Sequence, residues 1–250
     1  LLVLGRSLGD TAATQRGNVN FATDPGGSVG GVGAALSTTI NIYPYAIGES
    51  TAGAPDGSVN FGNSFVRYAG TGAPNGFKPL TTAEYVTNAT GYNALAGAAT
   101  TDNVRFDADP GAALTGVPAS INSLVLDGAA TITLTGPVGE LKINSGAILS
   151  AQAVSNTIDT FTGISTNSLP YYVYVTNPAG SLALNSPLSS AQTLAKSGAG
   201  TLVLGDATNA FTDLYFNQGA VQVDALNKLG TGTLKFFGGT LKFAGVFDPS

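Results

Sequence analysis

The chain has 250 residues, 34 of them glycine, with 43% hydrophobic but only 10% charged residues and a formal net charge of −5. It contains no Cys, His, Met or Trp, which excludes a Ser-His-Asp triad, a thiolate nucleophile and a His/Cys zinc site within this chain. The acidic balance, with a pI near 4.5, lacks the basic footprint that phosphate binding demands, so no nucleic-acid partner is expected.

Residue 1 is Leu, so the chain is expected to begin inside a longer product or after processing, with no signal peptide in view. No apolar run approaches the roughly 20 residues of a membrane helix, and no membrane insertion by this segment is expected. Residues 1–60 are glycine-rich, with short strand signals at Val19-Asn-Phe, Thr39-Ile-Asn-Ile-Tyr and Val59-Asn-Phe. Pro25-Gly-Gly-Ser-Val-Gly-Gly-Val-Gly reads as a small-residue turn between two of them rather than a flexible linker. Residues 63–103 break the pattern. Thr81 stands three residues before Glu84, the spacing of a capping box, which predicts a short helix from about residue 82 within a lateral loop-plus-helix insertion. Phe77, Tyr85 and Tyr92 in this stretch are expected to pack over a coil, burial being what aromatics usually supply.

From residue 103 onward, strand signals recur between turns: Asn103-Val-Arg-Phe, Ser123-Leu-Val-Leu, Thr131-Ile-Thr-Leu, Leu141-Lys-Ile, Ala147-Ile-Leu, Tyr172-Val-Tyr-Val and Ser181-Leu-Ala-Leu. The C-terminal part repeats one phrase, as Gly-Thr-Leu-Val-Leu at 200–204 and Gly-Thr-Leu-Lys-Phe at 232–236 and 239–243, with Gly-Ala-Val-Gln-Val at 219–223 between them. Alternation places Leu202, Leu204, Val221, Val223, Leu234, Phe236, Leu241 and Phe243 inward, and Gln222, Lys142, Lys235 and Lys242 outward. Short strands of this kind bury an apolar face only by stacking coil on coil, which predicts an all-β fold, a parallel β-helix running as a single solenoid over 1–250. Coils of roughly 25 residues would make about ten rungs and a rod of roughly 50 Å at about 4.8 Å per rung.

Leu194-Ala-Lys-Ser-Gly-Ala-Gly-Thr-Leu-Val-Leu-Gly-Asp-Ala-Thr-Asn-Ala-Phe-Thr, followed by Asn217-Gln-Gly-Ala-Val-Gln-Val, resembles the autotransporter-associated β-strand repeat, also called the passenger-associated transport repeat. Lys196, Gly198, Gly200, Thr201, Leu202, Asn209, Phe211, Thr212, Asn217 and Gly219 fit that family's pattern, while Asp213-Leu214 replaces its usual glycine pair. The repeat spans 194–243, and Ile121-Asn-Ser-Leu-Val-Leu-Asp-Gly and Leu141-Lys-Ile-Asn-Ser-Gly-Ala-Ile-Leu look like its flanking coils. The resemblance implies a right-handed β-helix, extracellular or on the outer surface of a Gram-negative-type bacterium, forming part of a longer polypeptide. It implies no catalytic residues.

Asp107 and Asp109 are the one acidic pair at strand-face spacing, which a glycoside hydrolase would use as acid and base. The following Pro110-Gly111 favours a loop in which the Asp side chains bond backbone amides. The nonapeptide calcium pattern is absent, and no window has the dense Asp alternation of a calcium loop; no cofactor or metal is expected. Asn88-Ala-Thr matches a glycosylation sequon. The expected function is that of a non-enzymatic structural segment, a β-helical stalk, adhesin spacer or self-assembling filament subunit, with self-association or continuation into further coils. The alternatives are a polysaccharide-active enzyme and a glycan-binding module using 63–103.

Overall fold

A computed structural model describes residues 36–49, 62–68, 77–87, 98–114, 119–136 and 139–245. The described chain is a parallel β-helix of about seven turns. Its first sheet stacks β4 (Val86–Thr87), β5 (Asn103–Phe106), β6 (Ala119–Leu126), β8 (Glu140–Ser150), β11 (Tyr171–Val175), β13 (Leu194–Ser197), β15 (Leu214–Phe216) and β17 (Leu234–Phe236), all parallel. The second sheet stacks β7 (Thr133–Thr135), β9 (Ser155–Asp159), β12 (Ser181–Leu184), β14 (Thr201–Leu204), β16 (Gly219–Val223) and β18 (Gly239–Phe243). From β6 onward each coil contributes one strand to each sheet, so neighbouring strands in space are about one coil apart in sequence; among the described residues β4 and β5 have no second-sheet counterpart. A short third side arises where β8 turns a corner at Gly146. Its first half pairs with β10 (Gly163–Ser165) and its second half with β11.

The registers align the interior side chains in columns. One column runs Val86, Val104, Leu124, Ile148, Val173, Lys196, Phe216 and Phe236 through the first sheet. Opposite it, Leu134, Ile158, Leu184 and Leu204 line the second sheet. Nearly all of these apolar side chains are fully buried, and burying one contributes about 1.5–3 kcal/mol relative to leaving it in water.

Coil length is not constant. The step is 20 residues from Val104 to Leu124, 24 to Ile148, 25 to Val173, 23 to Lys196, and 20 to Phe216 and again to Phe236. The described rod has about seven turns, not the ten expected, because the strands Tyr43–Gly48, Ser64–Tyr68 and Phe77–Pro79 form a separate lateral sheet and the stacked coils begin at Val86. Leu141-Lys-Ile and Ala147-Ile-Leu, two signals in sequence, lie within the single bent strand β8. The three Gly-Thr-Leu phrases are not equivalent: those at 200 and 239 enter the second sheet as β14 and β18, whereas the one at 232 enters the first as β17. Leu202, Leu204, Val221 and Val223 are buried as alternation predicts. Leu234 and Leu241 are only partly buried, and Phe236 and Phe243 are 53% and 37% exposed, because β17 and β18 have a described parallel neighbour on one side only.

Thr39-Ile-Asn-Ile-Tyr does not supply a solenoid strand. β1 (Tyr43–Gly48) begins three residues later than Ile40 and pairs antiparallel with β2 (Ser64–Tyr68), which pairs antiparallel with β3 (Phe77–Pro79). This small sheet lies on the outer face of the first sheet. Ile42, Phe65, Leu80 and Tyr85 pack there with Val125, Ala147, Leu149 and Tyr174 as a second core. The capping-box spacing is realised as one 3-10 turn, η1 (Thr82–Glu84), in which Glu84 Oε2 accepts from the Thr81 amide at 2.9 Å. The strand signals at 19 and 59, the turn at 25–33, Tyr92 and the sequon at Asn88 lie outside the described residues.

Asn103 ties the lateral sheet to the solenoid. Its Nδ2 donates to the Thr38 and Ile40 carbonyls at 3.1 and 2.9 Å, and its Oδ1 accepts from Asn122 Nδ2 and Ser123 Oγ, both at 2.8 Å. The side chain is fully buried, so Asn103→Ala removes the side-chain donor to the Ile40 carbonyl and the acceptor of two donors at once, while the Thr38 carbonyl keeps the backbone amide of residue 103 at 2.8 Å. The substitution is expected to cost about 2–3 kcal/mol, and hydrogen exchange should show faster exchange in β1 and β2 than in β14 or β16. Equal acceleration throughout would mean that Asn103 stabilises the coils alone.

Candidate functional site

The carboxylates flagged by spacing do not form an acid/base pair. Asp107 Oδ1 lies 2.5 Å from Arg105 Nε, and the same guanidinium reaches Asp127, which also accepts from Gln152 Nε2 at 2.5 Å. Burial pushes the Asp127 carboxyl up, against the pull of Arg105. Burial likewise opposes the charge on Arg105, but Asp127 and Asp107 outweigh it and raise its pKa. Both carboxylates are thus tied to one guanidinium. Asp109 instead accepts from the Gly111 amide at 3.2 Å, the loop role expected of an Asp before Pro-Gly. Among the described residues, no group of three or more acidic side chains that could hold a metal ion comes together.

Glu84 is fully buried and lies 2.8 Å from Arg67 Nε. Burial works against its charge, but the Thr81 and Leu36 amides and Arg67 outweigh that and hold its pKa below the usual carboxylate value. This pair joins β2 of the lateral sheet to η1. Tyr85 is buried, with its hydroxyl 2.9 Å from Ser64 Oγ and accepting from the Phe65 amide at 3.1 Å; burial pushes its pKa up to about 12. Phe77 meets Tyr43 and Tyr68 edge-on, with ring centroids 4.9 and 6.3 Å apart. Tyr85 packs over the coils as the sequence predicts, whereas Phe77 packs on the tyrosines of the lateral sheet itself.

The residues carrying the family resemblance take structural positions. Lys196 is wholly inside the first-sheet column, between Val173 and Phe216, and its Nζ donates to the carbonyls of Ser197, Gly198 and Gln218 at 2.9, 2.7 and 3.2 Å. Burial lowers its pKa to about 7. Asn209 accepts from the Leu188 amide at 2.9 Å and donates to the Asp206 and Lys228 carbonyls at 2.8 and 2.9 Å, clipping one coil corner to the next. Gly198 has φ +81° and leaves no room for a Cβ, which would fall 2.4 Å from the Val175 carbonyl oxygen. Phe211 fills the interior beside them.

A cleft not anticipated from sequence opens on the outer face of the first sheet, where the lateral sheet stops. Register places Ala147, Tyr172, Ala195, Tyr215 and Lys235 in one outward column, and Leu149, Tyr174 and Ser197 in the next. The small side chains of Ala195 and Ser197 form a floor between taller neighbours. Tyr172 and Tyr174 make one wall, Tyr215 and Asn217 the other, and Tyr45 of the lateral sheet overhangs the first, its ring 6.3 Å from that of Tyr172. The cavity measures about 270 Å³ and its exposed lining is almost entirely apolar. On the far side of the Tyr215 wall, Lys235 Nζ sits 4.7 Å from the Tyr215 ring centroid, 3.0 Å from its hydroxyl and 2.8 Å from Asp213 Oδ2. Lys235 is therefore more than a solubilising surface charge. The signal in sequence was the pairing of outward tyrosines at 172, 174 and 215 with small residues at 195 and 197, legible only once the register is known.

Comparison with models of protein families, with curated proteins and with solved structures found no match to this chain.

Proposed function

We propose that this chain is a non-enzymatic structural segment of a bacterial cell-surface or secreted protein, serving as a β-helical stalk, adhesin spacer or filament subunit. The observation that carries this reading is the last described coil. Strands β17 and β18 present Phe236 and Phe243 in register with the interior residues Phe216 and Val223, so that another parallel coil laid on them would extend both sheets and the core together. The exposed strand edge offers the backbone groups to pair it. That coil is supplied either by further sequence or by another copy, and the mechanism is mechanical: rigid length from stacked coils. The likeness of 194–243 to the autotransporter-associated repeat supports a place outside the cell, as a passenger segment of a Gram-negative-type bacterium. The pairing of Asp107 and Asp127 with the one guanidinium of Arg105 supports a structural role for these carboxylates.

Negative-stain electron microscopy of the purified chain at rising concentration tests the reading. Rods that join end to end, with joining suppressed in Phe236→Asp, are the result expected of a filament subunit, whereas rods that stay separate at every concentration assign the spacer role. Release of reducing ends from polysaccharides by the purified chain would overturn the structural reading.

A further inference from the structure

We propose that the tyrosine cleft is a binding site for a single neutral pyranoside ring, a sugar unit of a surface or matrix glycan. The proposal stands on the cleft itself and does not depend on whether the rod is a stalk or a filament.

Width comes first. Tyr172 and Tyr215 occupy the same outward column with only Ala195 between them, so their backbones are two strand spacings apart, about 9.6 Å. A puckered, saturated ring is thicker than a flat base and fills more of a slot of that span, presenting C–H groups toward its aromatic side chains. The volume, about 270 Å³, lies just below the roughly 300–1,000 Å³ of sites for drug-sized ligands, a size suited to one ring.

Charge comes second. None of the side chains lining the cleft is ionised at neutral pH, so a charged ligand would lose its hydration with no counter-charge to replace it. A quaternary ammonium group, the usual guest of an aromatic cage, meets a further obstacle. Lys235 already lies against the Tyr215 ring and repels a second cation there. Asn217 Nδ2 donates to Ser197 Oγ at 3.1 Å at one end of the otherwise apolar floor, so the Ser197 O–H and the Asn217 Oδ1 are the groups that sugar hydroxyls would meet there. A neutral, polyhydroxylated ring with apolar faces satisfies each of these conditions.

Saturation-transfer NMR on the purified 250-residue chain tests the proposal, with methyl glucosides, methyl galactosides and methyl N-acetylglucosaminide as probes and choline and adenosine as controls. At least one methyl pyranoside is expected to receive saturation on its ring protons with a millimolar Kd. Binding should weaken by about tenfold or more in Tyr172→Ala, which removes a wall, and in Ala195→Leu, which fills the slot while leaving every tyrosine in place. Ala195→Leu carries the test alone if Tyr172→Ala fails to fold. Absence of transfer to every pyranoside, stronger binding of choline or adenosine, or unchanged binding in Ala195→Leu would each overturn it.

Discussion

Gly146→Ala is expected to lower the unfolding free energy by more than about 4 kcal/mol, the range reserved for a backbone that cannot accommodate the change. Gly146 has φ +71° at the corner of β8, where an L residue is strained by about 1–2 kcal/mol, and a Cβ there would fall 2.0 Å from the Pro170 carbonyl oxygen. That oxygen belongs to the backbone leading into β11, so relieving the clash means displacing a strand paired on both sides. Gly111 provides the control. Its φ is +70°, but nothing lies within 4 Å of the position a Cβ would take, so Gly111→Ala should cost only the conformational strain of about 1–2 kcal/mol. Urea unfolding of the two variants separates strain from steric exclusion. Equal losses would show that the corner at Gly146 yields and that the coil contact there is loose.

The second large effect concerns pH. Lys196 has a pKa of about 7 in the fold against about 10.4 in the unfolded chain. Between those values the unfolded state binds the proton that the folded state has released. Stability therefore rises with pH through this window, by up to about 1.4 kcal/mol per pH unit. Below it both states are protonated, above it neither is, and the contribution is level. The three carbonyl acceptors of Nζ match the three N–H bonds of an ammonium, which is how the column keeps the charge under acid conditions without opening. Lys196→Met should abolish the rise between pH 7 and 9.5. Lys196→Ala should abolish it too and in addition lower stability at every pH by about 2–5 kcal/mol through the cavity left behind. Denaturant midpoints across that range supply the measurement. They stop short of pH 10 because burial raises the pKa of Tyr171 and Tyr174, an effect of opposite sign once unfolded tyrosines ionise. A wild-type chain with no slope, or a Met variant that retains it, would remove Lys196 as the titrating group.

The solenoid was legible in the sequence because its second-sheet strands alternate. Ser181-Leu-Ala-Leu and Thr201-Leu-Val-Leu each bury two leucines and turn Ser181 and Ala183, or Thr201 and Val203, outward. The lateral sheet was not legible in the same way, since its strands are short and its pairings antiparallel within a chain that otherwise stacks in parallel. A trace of it was present all the same. Leu124-Val-Leu, Ala147-Ile-Leu and Tyr171 to Val175 are apolar on both faces, the mark of a strand covered on both sides, and Val125, Ala147, Leu149 and Tyr174 are indeed where the extra sheet docks. Lys196 defeated period-2 reading from the other direction, since it takes an inward position that its charge argues against. Its partners are backbone carbonyls, which leave no mark in a sequence. The tyrosine cleft was out of reach for a similar reason, because its walls lie 43 residues apart at Tyr172 and Tyr215 and meet only through two successive registers.

The uneven coil length carries a lesson about how such a chain tolerates insertion and deletion. Between β6 and β8 the offset is 22 residues at Ile121 and Ile143, and 24 at Ser123 and Ala147. Two additional residues have thus been taken up at the corner before Ala147, and the strands on either side have re-paired as if nothing had been added. Length variation at a corner stays local because each strand finds its register against its neighbour alone, not against a count kept along the whole chain. Corners are therefore the points at which this protein can gain or lose sequence, one coil at a time, while its interior columns stay in line.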